Sequence, residues 1–515
     1  MSFSDTISAG YTFKGPSFVL GGAMLDGASQ EGLLVRVPLK TLNRHGLIAG
    51  ATGTGKTKTL QGFAEQLSWQ GVPVLLMDIK GDLSGLAQPS EGHPKIDERH
   101  AKIGVDHNPT AFPIELLSIS DESGVRLRAT VSEFGPVLFS KILGLNEVQS
   151  GIVSLLFKVA DDRELPLLDL KDFKALLRYS TEEGKDEIQA EYGSISPAST
   201  GAILRRIIEI EQQGGDKFFG ELSFQVSDLV RTNQDDKGII SILRLTDVQD
   251  RPKLFSTFML CLLAEIYNTL PEQGDADKPR LVLFIDEAHL IFEEASKALL
   301  DQIEAIVRLI RSKGVGVFFV TQSPADIPDD VLGQLGLKIQ HALRAFTAKD
   351  RKKIKQAAEN YPLTEYYDTA ELLTSMGIGE AAVTVLNEKG IPTPLVHTLL
   401  CAPQSRMGIL SKREISAVVK QSELAAYYNE DVDRESAYEI LNAKLKAAEA
   451  ATEEPIELPE PRRRSSGKAE KSLLEEVMGS TMARQIGRTV AREVTRGLLG
   501  VLGIKSTRRR RRRRR

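Results

Sequence analysis

"HGLIAGATGTGKTKTL", residues 45–60, runs from an apolar stretch into glycines and then into a lysine followed by a hydroxyl. Gly50, Ala51, Thr52, Gly53, Thr54, Gly55, Lys56 and Thr57 match the spacing GxxxxGK[ST] of the Walker A phosphate loop. The motif carries meaning only between a strand and a helix, and both are in place: "GLIAG" reads as a buried strand and "TKTLQGFAEQLSWQG" as a helix. Glycines let the backbone wrap so that its N–H groups face phosphate oxygens, and the positive end of the following helix adds to the attraction. On this reading the loop cradles a nucleoside triphosphate, Lys56 reaches its β and γ phosphates, and the Thr57 hydroxyl binds Mg²⁺.

Further apolar runs extend the pattern: "VPVLLMD" (72–78), "IISILRL" (239–245), "RLVLFIDE" (280–287), "GVGVFFVTQ" (314–322) and "IQHALRAF" (339–346). They lack polar alternation, as strands buried on both faces do, and helical patterns separate several of them. The fold class is therefore α/β with a mainly parallel sheet. Residues 113–237 break the alternation with apolar positions three and four apart, and are expected to be a helical insertion. A strand pair over 380–386 and 393–401 should close a core spanning 1–405. A charged helix over 406–450 and a Pro-, Glu- and Ser-rich linker over 451–470 follow.

The second half of a phosphate site is expected at "LVLFIDEAHLIF", the Walker B position. A buried strand there delivers Asp286 and Glu287 to the crevice at its C-terminal end. Asp286 is assigned to Mg²⁺ and Glu287 to the attacking water. An acid beside the metal acid argues for hydrolysis, because a phosphotransferase must keep water out. Gln322, closing "VFFVTQ", is a candidate γ-phosphate sensor.

Composition bounds the rest. The chain has 515 residues, 41% hydrophobic and 26% charged, with no apolar window long enough to cross a membrane and no signal-like leader. The two cysteines, Cys261 and Cys401, sit in apolar runs without metal-type spacing, which suits a reducing cytoplasm. Net charge is −4, yet Arg508–Arg515 are eight consecutive arginines; without them the charge is −12. A broad basic face is thus not visible in composition, although a local channel can still be positive.

Together "RHGLIAGATGTGKT", "LLMDIKGDLSGL", "LFIDEAHLIF" and "GVGVFFVTQSPADIP" resemble the HerA/FtsK superfamily of motor ATPases, specifically the bacterial HerA-like proteins. The similarity covers about residues 10–405. It implies a RecA-like ATPase core, ATP and Mg²⁺ as cofactors, a hexameric ring with nucleotide at subunit boundaries, and DNA translocation or helicase action. By resemblance Asp78 is an acid near the nucleotide, and Arg44 and Arg311 are basic positions that reach nucleotide across a subunit boundary. For Arg311 a plain helix-end cation remains an equal reading. Relatives with an N-terminal β-barrel have a longer leader than the 45 residues ahead of this phosphate-loop strand, so that barrel is expected to be absent or reduced.

Two other readings stay open. "DEAH" at 286–289 suggests a two-lobed helicase, but the QxxGRxxR segment its second lobe requires is approached only by "QIGRTVAR" (485–492), one residue short and in the tail. A nucleotide-switched scaffold or protein-remodelling ATPase that does not act on DNA is the stronger alternative. Finally, Met478, Met482, Ile486, Val490, Val494 and Leu498 recur every four residues beside parallel rows of Arg and of Gly or Ala. This marks residues 471–505 as an amphipathic helix for docking a partner or self-association, with a membrane-surface or solvated helix as alternatives. The polyarginine end is either a disordered tail or a phosphate-attracting one.

Overall fold

In the computed structural model, residues 1–453 other than 295, 296 and 433 are described. The linker beyond 453, the regular helix expected over 471–505 and the polyarginine tail lie outside the described residues.

The apolar runs become strands because both of their faces are covered. The strands are β1 (Ser17–Leu25), β2 (Ala28–Pro38), β3 (Gly46–Ala49), β4 (Val74–Asp78), β5 (Ile114–Ser118) and β6 (Val125–Arg126), then β7 (Ile240–Arg244), β8 (Leu281–Ile285), β9 (Val315–Thr321), β10 (Leu337–Gln340), β11 (Glu380–Thr384) and β12 (Val396–Leu400). Every residue of β3, β4, β8 and β9 is buried. They form one twelve-stranded sheet in the order β2-β1-β12-β11-β10-β3-β9-β8-β4-β7-β5-β6. From β10 to β6 every neighbouring pair is parallel; β11, β12, β1 and β2 add an antiparallel margin.

This order fixes the site. Strands β3 and β8 run parallel with β9 between them, so the phosphate loop after β3 and the acids after β8 emerge at the same edge. The helix Lys56–Trp69 is anchored beneath by Phe63, whose ring packs against Phe18, Phe284 of β8 and Phe318 of β9, with centroids 5.0, 5.6 and 5.3 Å away. His45, just before β3, accepts a 3.0 Å hydrogen bond from the Val317 N–H through Nδ1 and is wholly buried.

Burial pushes the His45 imidazole down to about 4. Its folded value lies below its unfolded one, so the stability its neutral form provides is complete above about pH 6.5 and lost as pH falls toward 4. Buried carboxylates titrate with the opposite sign in that window, so the test is a difference. Relative to a His45→Asn variant, whose amide does not titrate, the parent should lose up to about 1.4 kcal/mol of unfolding free energy per pH unit across it. Denaturant titrations at several pH values measure this; parallel profiles would show a ring open to protons in the folded state.

The chain divides into two compact units, Met1–Leu127 with Ser223–Glu430, and Arg128–Leu222 with the chain from Asp431. The first holds the sheet. The second is helical, with Phe134, Phe139, Phe157, Phe173, Phe218 and Phe219 forming a chain of ring contacts. Its helix Ala437–Glu453 is fastened by Asp172, a fully buried carboxylate that accepts from the Leu168, Asp169 and Tyr438 N–H groups and the Ser436 hydroxyl.

Three expectations change. The segment 113–237 opens with β5 and β6, and its helices begin only at Val131; five- and two-residue strands are too short to show a period. The run 339–346 is strand only to Gln340. The single charged helix over 406–450 is instead three, Lys412–Gln421, Glu423–Tyr428 and Ala437–Glu453. The chain leaves helix at Asn429, whose side chain accepts from Arg126 N–H at 2.9 Å and donates to Gly124 C=O at 3.0 Å.

Candidate active site

The phosphate loop takes the shape that its glycines permit. Gly50 has φ +155° and Gly55, capping the helix, φ +110°. A Cβ on Gly50 would come within 2.4 Å of the His341 Cβ, so no side chain fits there. The loop is tied to neighbours on both sides: Gly50 N–H donates to Thr321 C=O (3.2 Å), Ala51 N–H to Ala342 C=O (2.9 Å), and Gly379 N–H to Thr54 C=O (3.0 Å). Thr52 and Gly53 are exposed, Thr57 is half-buried, and nothing lies within 4 Å of where a Gly53 Cβ would be. The Lys56 side chain is buried and curls back, donating from Nζ to Gly50 C=O at 2.6 Å and Ala51 C=O at 3.1 Å.

Asp286 and Glu287 stand where β8 ends, both buried. Asp286 Oδ1 accepts from the Glu287 N–H at 2.9 Å, while Oδ2 is buried without a hydrogen-bond partner. Burial pushes the Asp286 carboxyl up to about 7, against the opposing pull of Lys80. Glu287 has φ +47°, an uncommon conformation for a non-glycine residue. One of its oxygens pairs with Lys80 Nζ; His289 Nδ1 lies 3.3 Å from the other, which lacks a proper hydrogen bond. Lys56 lies within the field of all three groups. Burial and the Lys80 charge lower its pKa, and Glu287 and Asp286 oppose them. Folding therefore brings Lys56 into the field of Asp286 and Glu287, which lie far from it in the sequence.

Lys80 had no role in the sequence reading. Its position depends on Asp78, which does not present its carboxylate to the site. Asp78 is fully buried and accepts from the Gly81, Asp82 and Leu83 N–H groups at 2.8, 3.2 and 3.2 Å. It caps the turn 79–83, and that turn carries Lys80 to Glu287. His341 was missed as well: it is buried behind the loop with Nε2 2.9 Å from the Thr59 hydroxyl.

The remaining candidates are spread out. Thr321 donates its hydroxyl to Asp326 at 2.7 Å, and Gln322 beside it is exposed. Arg44 precedes β3, so four strand residues separate it from the loop that follows. Arg311 precedes β9, and together the two arginines line adjoining cavities of about 540 and 590 Å³ at that opposite edge of the sheet.

The donor set fits Mg²⁺ bound with a triphosphate. Among the described residues no three His, Cys, Asp or Glu side chains form a metal cluster. Mg²⁺ needs none when phosphate oxygens and water supply most of its shell, and a hydroxyl such as Thr57 with an unpartnered carboxylate oxygen such as Asp286 Oδ2 suits it. Among the described residues no helix is long and apolar enough to cross a membrane.

Among curated proteins the chain is similar to the DNA double-strand break repair helicase HerA of Saccharolobus solfataricus, 24% identical over 355 residues that make up 68% of this chain and 63% of that one. It is also similar to the protein of that name in Sulfolobus acidocaldarius, 23% identical over 364 residues, 70% of this chain and 66% of the relative. The chain thus spans just under two thirds of the length of these relatives. Among solved structures it resembles the bacterial conjugative coupling protein TrwBdeltaN70 in complex with sulphate, at a TM-score of 0.51 and 14% identity, over 80% of this chain and 96% of that one. Plasmid coupling protein TrwB in complex with ADP and Mg²⁺ matches at a TM-score of 0.50 and 15% identity, over 80% and 95%. At such identities the likeness is one of fold, the RecA-like P-loop fold. The family described as "Helicase HerA-like C-terminal" matches residues 24–510, nearly the whole chain, and the protein therefore belongs to the HerA-like family.

Proposed function

We propose that this protein is a Mg²⁺-dependent ATPase that works as a ring, hexameric as in the resemblance, and uses hydrolysis to move along DNA. The observation that carries this reading is the convergence of Lys56 with Asp286 and Glu287 at one edge of the sheet, beside a buried carboxylate oxygen without a partner. In this scheme the loop amides and Lys56 bind the triphosphate, Thr57 and Asp286 hold Mg²⁺, and Glu287 orients a water and takes its proton. Mg²⁺ supplies charge neutralisation at the phosphate oxygens. The chain's similarity to DNA double-strand break repair helicases supports DNA as the track.

Arg44 and Arg311 lie at the wrong edge of the sheet to serve their own chain's nucleotide. We assign them to a neighbour's nucleotide, which makes turnover depend on assembly. Gln322, exposed at the edge of the phosphate loop, is assigned to sensing the γ phosphate.

The test is ATP turnover with and without duplex DNA, together with the mass of the assembly. Two inactive variants, Lys56→Ala and Arg44→Ala/Arg311→Ala, are then mixed. Random co-assembly should place an intact loop against intact arginines at roughly a quarter of interfaces and restore turnover in proportion. A mixture as inactive as its components would return the arginines to a structural role. Turnover indifferent to DNA would favour a nucleotide-switched scaffold.

A further inference from the structure

Beyond the nucleotide, one surface among the described residues is strongly basic. The helix Ala348–Glu359 carries Lys349, Arg351, Lys352, Lys353 and Lys355, all exposed, against Asp350 and Glu359. Asp350 is committed to the helix start, accepting from the Phe346 and Thr347 N–H groups. Ile354 and Ala357 face inward, so the five cations cover the whole outer face. Among the described residues none of the five has an ion-pair partner. The i,i+4 pairs Lys349/Lys353 and Arg351/Lys355 join like charges, which weakens the helix. A helix built only to be solvated would alternate signs.

The placement is as telling as the charge. Strand β10 ends at Gln340, and the next residues wall the phosphate loop: His341 contacts Thr59, and Ala342 C=O accepts the Ala51 N–H. The chain then runs through exposed Arg344, Ala345 and Phe346 directly into this helix. The helix also packs on the turn Pro324–Asp326, which follows β9 and whose Asp326 holds Thr321. Both strand ends flanking the phosphate loop thus lead to it.

We infer that the helix Ala348–Glu359 is a grip for the phosphate backbone of duplex DNA, coupled to nucleotide state through residues 341–347 and the turn 324–326. This rests on the DNA-motor reading above and gives it a surface. A helix of this length, about 18 Å, spans several successive phosphates. Among the described residues Phe346, 88% exposed, is the one bare aromatic beside it in the sequence. The surface therefore offers charge rather than the series of stacking rings that suits a single strand.

The experiment uses the full chain and a fluorescent duplex, titrated at several salt concentrations with a non-hydrolysable ATP analogue present. Neutralising all five cations (Lys349→Gln, Arg351→Gln, Lys352→Gln, Lys353→Gln, Lys355→Gln) should weaken duplex binding at least tenfold. It should also remove between about 2 and 4.5 from the slope of log affinity against log salt. The matching variant with the four lysines changed to arginine should keep both. Neutralising Lys185, Arg178 and Arg205, on the helical unit, should leave the slope as it was. Thermal melting checks folding; if the fivefold variant melts early, Lys352→Gln/Lys353→Gln carries the test, with an expected slope loss of about 1 to 2. An unchanged slope in a protein that still binds duplex overturns the grip and leaves the motor reading standing. A loss confined to single strands, or to anionic vesicles, overturns it too. A parent chain that binds no DNA in any salt would instead remove the motor reading on which the grip depends.

Discussion

Replacing Glu287 with glutamine should lower ATP turnover by about 10²–10⁴-fold while leaving nucleotide bound. The amide keeps the size and one acceptor oxygen of the carboxylate, so the contact with Lys80 has a replacement and the fold at the end of β8 should survive. Only the capacity to take a proton from water is removed. In the proposed scheme binding rests on other groups: the loop amides, Lys56, Thr57 and Asp286 are untouched. The backbone supports the assignment, because a non-glycine residue held at φ +47° beside a buried, partly unpartnered acid pair is costly and tends to persist where position matters. A fluorescent ATP analogue measures binding, and phosphate release under single-turnover conditions measures chemistry. Turnover within a few-fold of the parent would move the base elsewhere; lost binding would show that Glu287 holds the site together.

The same site shows how far sequence alone reaches. The path of the loop between β3 and the helix Lys56–Trp69 was legible because its information is local, with eight adjacent residues specifying a turn that glycines permit. Strands such as β8 and β9 were legible because burial on both faces leaves an unbroken apolar run. The hairpin β1–β2 was not, since "SFVLGGAML" interrupts its run with glycines and the first five residues of β2, "ASQEG", are polar or small with none of them buried. Lys80 was invisible for another reason. Its partner Glu287 is distant in sequence, and the residue that positions it, Asp78, read by resemblance as an acid near the nucleotide, while its oxygens cap a turn. A carboxylate at a strand end looks the same in sequence whether it faces a ligand or folds back on backbone amides. The arginines show the same limit: a composition can count them, but only the sheet places Arg44 and Arg311 at the edge opposite the phosphate loop.

Lys56→Ala carries the other large effect, and its failure should occur at an earlier step. The parent lysine is buried and donates to two carbonyls of its own loop, at 2.6 and 3.1 Å from Gly50 and Ala51. Burial and the nearby Lys80 lower its pKa, so a triphosphate that brings negative charge to this position relieves an unfavourable environment. The ammonium is therefore poised to exchange carbonyl partners for phosphate oxygens. Alanine removes that gain and strands two carbonyls, which loosens the loop as well. We expect ATP affinity to fall by roughly 10- to 100-fold, as loss of a charge-assisted contact of about 1.5–3 kcal/mol implies, and turnover to become undetectable even at saturating nucleotide. The contrast with Glu287→Gln is the informative part. One variant should bind without turning over and the other should do neither, so equilibrium binding of the same analogue to both proteins separates a cradle residue from a proton acceptor. Equal affinity in the two variants would mean that the Lys56 ammonium stays on its own loop carbonyls when nucleotide arrives, and the phosphate would then have to be held by the backbone amides and Lys80.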